Sequence, residues 1–195
     1  MQQAVPEGAG AMAAIVGASD EQVQALCDAV AEGQVLALAN YNTVGQIVVA
    51  GHKEAVLRAV EQARQFGAKL AKVIPVSVPA HCSLMQPAAD KLAVELAAVD
   101  ISAPLTPVLH NADLLFHSNA DEIRQALVSQ MVQPVQWVKS MQQCVADGVT
   151  HVVECGPGKV LHGLNRRAVK ELTTYVLSQP DSFDCASAAI KELVK

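Results

Sequence analysis

Aromatic side chains are nearly missing from this chain: one Trp, two Tyr and three Phe in 195 residues. A core cannot be built on rings, so it must be assembled from Ala, Val and Leu, a composition common where helices pack closely on a sheet in α/β proteins. Cysteine is sparse and unpaired in pattern. Cys27, Cys82, Cys144, Cys155 and Cys185 lie far apart with no C-x-x-C, which gives a disulfide framework or a metal site no support and fits reduced thiols in the cytoplasm. No Lys/Arg run with interleaved aromatics occurs and the net charge is −5, so a nucleic-acid partner is not expected. No apolar run approaches the roughly 20 residues that span a bilayer, and the Met1–Glu7 start lacks the basic and apolar regions of a secretion signal, so neither a membrane nor a secreted protein is expected.

What is present divides into two layouts. Residues 12–16 read as a strand. Ser19 with Gln22 three residues on is a capping box, and Val23, Leu26, Cys27 and Val30 then recur at helical spacing until Gly33. Residues 34–39 and 46–50 are β-rich runs joined by Asn40–Gly45, a turn region suited to an antiparallel connection. A second helix spans 53–66 and ends at Gly67, and residues 68–74 close the unit as a strand. The order is β-α-β-β-α-β, that of a ferredoxin-like sandwich. After Pro75 the pattern changes to helices near 86–99, 120–131, 135–147, 159–170 and 182–194, alternating with short strands at 107–110, 151–154 and 173–177. Three such strands are half of a parallel layer, and partner strands are expected from elsewhere.

His81 is the residue most suited to chemistry. It lies in Val76-Ser77-Val78-Pro79-Ala80-His81-Cys82-Ser83, between a strand and a helix and flanked by small residues. Histidine exchanges a proton near neutral pH, so His81 reads either as a general base for a hydroxyl nucleophile or as a loop side chain bonded to backbone. Cys82 beside it reads as packing rather than as its nucleophile, since neighbours in an extended loop point apart. The amides of Asn40–Gln46 either hold a turn or face a ligand carbonyl. Glu154–Lys159 is a two-glycine strand-to-helix turn whose free N–H groups could meet an anion, without a Walker or dinucleotide fingerprint. Gln136, before the sole tryptophan, caps a helix or orients a catalytic group.

In order along the chain, Met1–Gly8, Gly10–Ile15, Asn40-x-Asn42-x-x-Gly45-Gln46-x-Val48–His52, Val76–Met85, Pro134–Trp137 and Gly156–Leu161 resemble the malonyl-CoA:acyl-carrier-protein transacylases of fatty-acid synthesis. The resemblance implies an α/β fold in which a ferredoxin-like subdomain (10–74, after a hinge at 1–9) is inserted in an α/β-hydrolase-like acyltransferase domain, with 75–195 as the C-terminal half of that domain. It implies malonyl transfer from malonyl-CoA to acyl carrier protein by a Ser-His ping-pong cycle, with no cofactor and no metal. His81 matches the catalytic base, Gln136 lies in the segment that orients it, and Asn42 matches a loop amide near the acyl pocket. The family's nucleophile elbow, oxyanion loop and malonyl-clamping arginine all precede the position of Met1, and no G-x-S-x-G occurs in the 195 residues. The chain alone is therefore expected to be inactive. His110-Asn111 stands where the family usually has Asn-Asn, which adds an ionisable ring. Two other readings remain: a polyketide-synthase-type acyltransferase domain fragment, or a non-catalytic module that docks the acidic carrier protein on Arg58, Arg64, Lys69 and Lys72.

Overall fold

The computed structural model describes residues 1–178 and 180–193. The chain forms two compact units, Met1–Trp137 and Val138–Lys195. The expected boundary at 74/75 falls inside the first of them.

The first unit begins with β1 (Gly10–Val16), α1 (Asp20–Val30), β2 (Leu36–Thr43), β3 (Gln46–His52), α2 (Lys53–Gln62) and β4 (Leu70–Ile74). The strands form one antiparallel sheet in the order β2-β3-β1-β4. The capping box is formed at the head of α1: Ser19 Oγ accepts from the Gln22 N–H (3.3 Å) and Gln22 Oε1 from the Ser19 N–H (2.8 Å). A 3-10 turn, Ala63–Phe66, continues α2 and stops at Gly67, which takes φ +89°. One face of the sheet (Ala13, Ile15, Leu38, Ile47, Val49) packs on Val23, Leu26, Cys27 and Val30 of α1 and on Val56 and Ala59 of α2. Alanines on both sides let the layers approach closely. Each fully buried Val, Leu or Ile stabilises by about 1.5–3 kcal/mol, so aliphatic burial carries this layer without aromatics.

The other face (Met12, Ala39, Val48, Ala50) packs on Cys82, with Ala80 and Leu84 beside it. The loop that carries His81 is thereby laid directly on the sheet. A 3-10 turn (Ser83–Met85) leads into α3 (Gln86–Ala97), which packs against α4 (Ala120–Ser129). Val5, Met85 and Ala88 form a third cluster, flanked by Met131 and Val132.

Two expectations are corrected here. Asn40–Thr43 is strand rather than turn, and the connection is only Val44–Gly45. Tyr41 and Thr43 suit a pleated surface, and bulges at Ala39 and Asn42 absorb the irregularity that the two asparagines introduce. Residues 107–110 do not form a strand of a parallel layer. Pro104 and Pro107 lack the N–H groups a ladder needs, and only Leu109 bridges, antiparallel, to Phe116.

The second unit holds most of α5 (Trp137–Ala146), then β5 (His151–Cys155), α6 (Val160–Ala168), β6 (Thr173–Leu177) and α7 (Pro180–Leu193). β5 and β6 pair in parallel across the α6 crossover, and α6 and α7 pack on β6. The expected last helix matches α7, although Val194 lies outside the described residues, as does the Cys185 side chain.

Candidate active site

His81 sits on the turn between β4 and α3 with φ +63°, a left-handed conformation that costs a non-glycine residue on the order of 1–3 kcal/mol. Its surroundings hold it there. The His81 N–H donates to the Met131 carbonyl (3.2 Å), the Ala80 N–H to Val78 (3.0 Å), and the Cys82 thiol to Pro79 (3.1 Å). Cys82 is 1% exposed and burial raises its pKa, so it stays a thiol and a packing residue.

The His81 ring is fixed as well. Nδ1 lies 2.8 Å from the carbonyl oxygen of Gln130. A carbonyl only accepts, so Nδ1 carries the proton and Nε2 keeps the lone pair. Gln130 caps the C-terminus of α4, where the last carbonyls have no partner within the helix and the helix dipole is negative. The ring therefore satisfies an orphan acceptor at the end of α4.

Gln130 opens a seven-residue segment that gathers the other candidates. Val135 pairs with the bulged part of β2: its N–H donates to Ala39 (2.8 Å) and its carbonyl accepts from Tyr41 (2.8 Å). Asn42, half-buried, occupies the next bulge of that strand. The Gln136 N–H donates to the Asn111 carbonyl (2.8 Å). Thus residues 130–136 are tied to His81 at one end, to β2 beside Asn42, and to Asn111 at the other end. The ring's partner is Gln130; Gln136 anchors the segment. Sequence reading missed Gln130 because its contribution is a main-chain oxygen. The one available signal was that a helix ending near 130 must find partners for its last carbonyls. A mostly apolar cleft of about 370 Å³ runs along the start of α3, with Ala4, Ala88, Leu92 and Met131 in its wall.

Other sequence candidates are used internally. Glu154 reaches back over the Gly156–Gly158 turn and accepts from the N–H groups of Leu161 (3.1 Å) and His162 (2.7 Å), so its own carboxylate fills the anion position at α6. Arg58 donates to the Val30 and Ala31 carbonyls at the end of α1 (2.8 and 3.0 Å) and to Gln34. Among the described residues, no cluster of three or more His, Cys, Asp or Glu could hold a metal, and no helix is long and apolar enough to cross a membrane.

No protein-family model matches the chain. Solved structures match it closely. An acyl carrier protein S-malonyltransferase from Vibrio cholerae superposes with a TM-score of 0.92 at 45% identity, over 95% of this chain and 61% of the other. A malonyl-transacylase solved in complex with a type II polyketide-synthase acyl-carrier protein gives 0.91 at 44%, over 93% and 59%. The fold is thus the mixed α/β fold of the acyl-carrier-protein malonyltransferases. In sequence, the malonyl CoA-acyl carrier protein transacylase of Escherichia coli K12 is 53% identical over 186 residues, 95% of this chain and 60% of that protein. The chain is similar to the malonyl CoA-acyl carrier protein transacylases along nearly its whole length, and spans about 60% of the length of the relatives it matches.

Proposed function

We propose that this chain serves malonyl transfer from malonyl-CoA to acyl carrier protein, in the cytoplasm and without a cofactor, with His81 as the general base. The observation that carries the reading is the Nδ1 bond to Gln130, which leaves Nε2 free to accept a proton. In a Ser-His ping-pong cycle Nε2 first takes the serine proton as the thioester is attacked and gives it to the departing CoA thiolate; it then takes one from the incoming phosphopantetheine thiol and returns it to the serine oxygen as the malonyl–serine ester breaks. The 195 residues contain no G-x-S-x-G, so the serine comes from polypeptide outside this sequence. Gln136, in the segment that starts at the His81 ring, and Asn42, next to the Tyr41 that bonds this segment, are read as orienting the histidine or shaping the acyl pocket. The strand order β2-β3-β1-β4 supports reading 10–74 as a ferredoxin-like subdomain, 1–9 as its hinge and 75–195 as the remainder of an α/β-hydrolase-like domain.

The non-catalytic docking reading is weakened, because Arg58 is committed to the end of α1. The test is an intact mass of the protein purified from its own source and incubated with malonyl-CoA. A covalent malonyl adduct is expected in the wild type, and His81→Ala lowers the rate of its formation by about 10²–10⁴-fold. Absence of an adduct in wild-type protein overturns the reading.

A further inference from the structure

Away from His81, a cluster of titratable groups closes the loop between α3 and α4. Leu109 bridges Phe116, the His110 N–H donates to Leu115 (3.0 Å), and the Leu114 N–H donates back to His110 (3.0 Å) with Leu114 at φ +62°. Across this loop lies the His117 ring, whose side chain is 13% exposed. Its Nε2 is 2.7 Å from Asp113 Oδ2, and its Nδ1 is 3.6 Å from Glu122 Oε2 on α4. The ring meets His110 edge-on, with centroids 5.0 Å apart. Asp113 is oriented in turn by the Leu115 N–H (3.1 Å). The hydrogen bond joins Nε2 to Asp113, while Glu122 at 3.6 Å acts on the other side of the ring by its charge, and the two carboxylates together favour the imidazolium.

The same loop contributes to the site. The Asn111 carbonyl accepts the Gln136 N–H and so holds the far end of residues 130–136, whose near end fixes the His81 ring and backbone. We propose that His117 is a positioning residue: clasped as a cation between Asp113 and Glu122, it locks the 109–117 loop and, through Asn111 and Gln136, the segment that orients His81. Its functional meaning rests on the reading of His81 as the base, but its structural content does not.

The titratable groups that act on the ring are Asp113 and His110 from the loop and Glu122 from α4, among the described residues. The hydrogen bond to Asp113, aided by the charges of Asp113 and Glu122, outweighs desolvation and raises His117 above the ordinary value of 6.5. A raised folded value makes the clasp's stabilisation complete below that ordinary value and removes it as pH climbs through the folded one. Asp113 sets the acid limit. Burial alone would raise it, but the bonds from His117 and Leu115 and the positive charges of His117 and His110 lower it, so its share is lost only as pH falls through that depressed value.

The test is NMR of the whole chain across this range, reading the His117 ring, the His81 Nδ1–H signal and hydrogen exchange at the Gln136 amide. Exchange at Gln136, corrected for intrinsic rate, is expected to quicken about threefold or more as His117 deprotonates, and the His81 Nδ1–H signal to broaden with the same midpoint. In His117→Asn that step disappears, while an amide of β3 is unaffected. Identical Gln136 profiles in wild type and His117→Asn, or a His117 midpoint below its ordinary value, overturn the proposal. Should His117→Asn fail to fold, Glu122→Gln carries the test: the midpoint moves down, and an unmoved midpoint sinks the clasp. None of these readouts uses malonyl transfer, so a failed adduct experiment and a failed clasp remain separate results.

Discussion

Chemistry in this chain is decided by which polar atoms are already engaged. Cys27 and Cys82 are each 1% exposed; burial, with the nearby Asp28 charge, pushes Cys27 up to about 12 and burial raises Cys82. Cys155 is exposed. Alkylation of the native protein near neutral pH is therefore expected at Cys155 while Cys27 and Cys82 are spared, as peptide mass mapping checks; early labelling of Cys82 would mean that the His81 turn opens. His81 itself shows how a residue in a costly backbone conformation is retained: two carbonyls, of Gln130 and Met131, hold the ring and the backbone. The ring was legible in the sequence as a candidate base, from its place between strand and helix. Its partner was not, since a main-chain oxygen carries no residue identity.

At the scale of elements, local signals were strongest where a side chain acts on its own backbone. The Ser19–Gln22 box, the helical spacing of Val23 to Val30 and the stop at Gly67 were readable and are present. Asparagine misled the reading of residues 40–43, because it favours turns in isolation while pairing with β3 decides the outcome here. Ser19→Ala is expected to cost about 1 kcal/mol in denaturant unfolding, through the lost cap. Gly51→Ala is expected to cost more, about 3 kcal/mol, because a Cβ there would run into the Val35 carbonyl. That carbonyl cannot withdraw freely: it accepts the His52 N–H (2.9 Å), and the Val35 N–H is bound to His52 Nδ1 (2.9 Å). A Gly51→Ala cost no larger than that of Ser19→Ala would show that this corner yields.

For the molecule as a whole, the β1–β4 sheet is covered on both faces by different parts of the chain. Helices α1 and α2 cover one, and the His81 loop covers the other through Cys82, Ala80 and Leu84. In isolation residues 10–74 would bare Met12, Ala39, Val48 and Ala50. A 10–74 fragment is accordingly expected to bind a hydrophobic dye more strongly, mole for mole, than a 1–137 fragment, and equal binding would show that the loop adds no cover. The two edges of this sheet also differ. β2 is bulged twice and has Val135 docked on its backbone, whereas β4 ends the sheet with Leu70 56% and Val73 38% exposed on either side of Lys72. A sheet plugged on one side can grow only from the other, so adhesion through this sheet stops at a pair joined β4 to β4, and any fibre would have to be extended by the separate β5–β6 sheet.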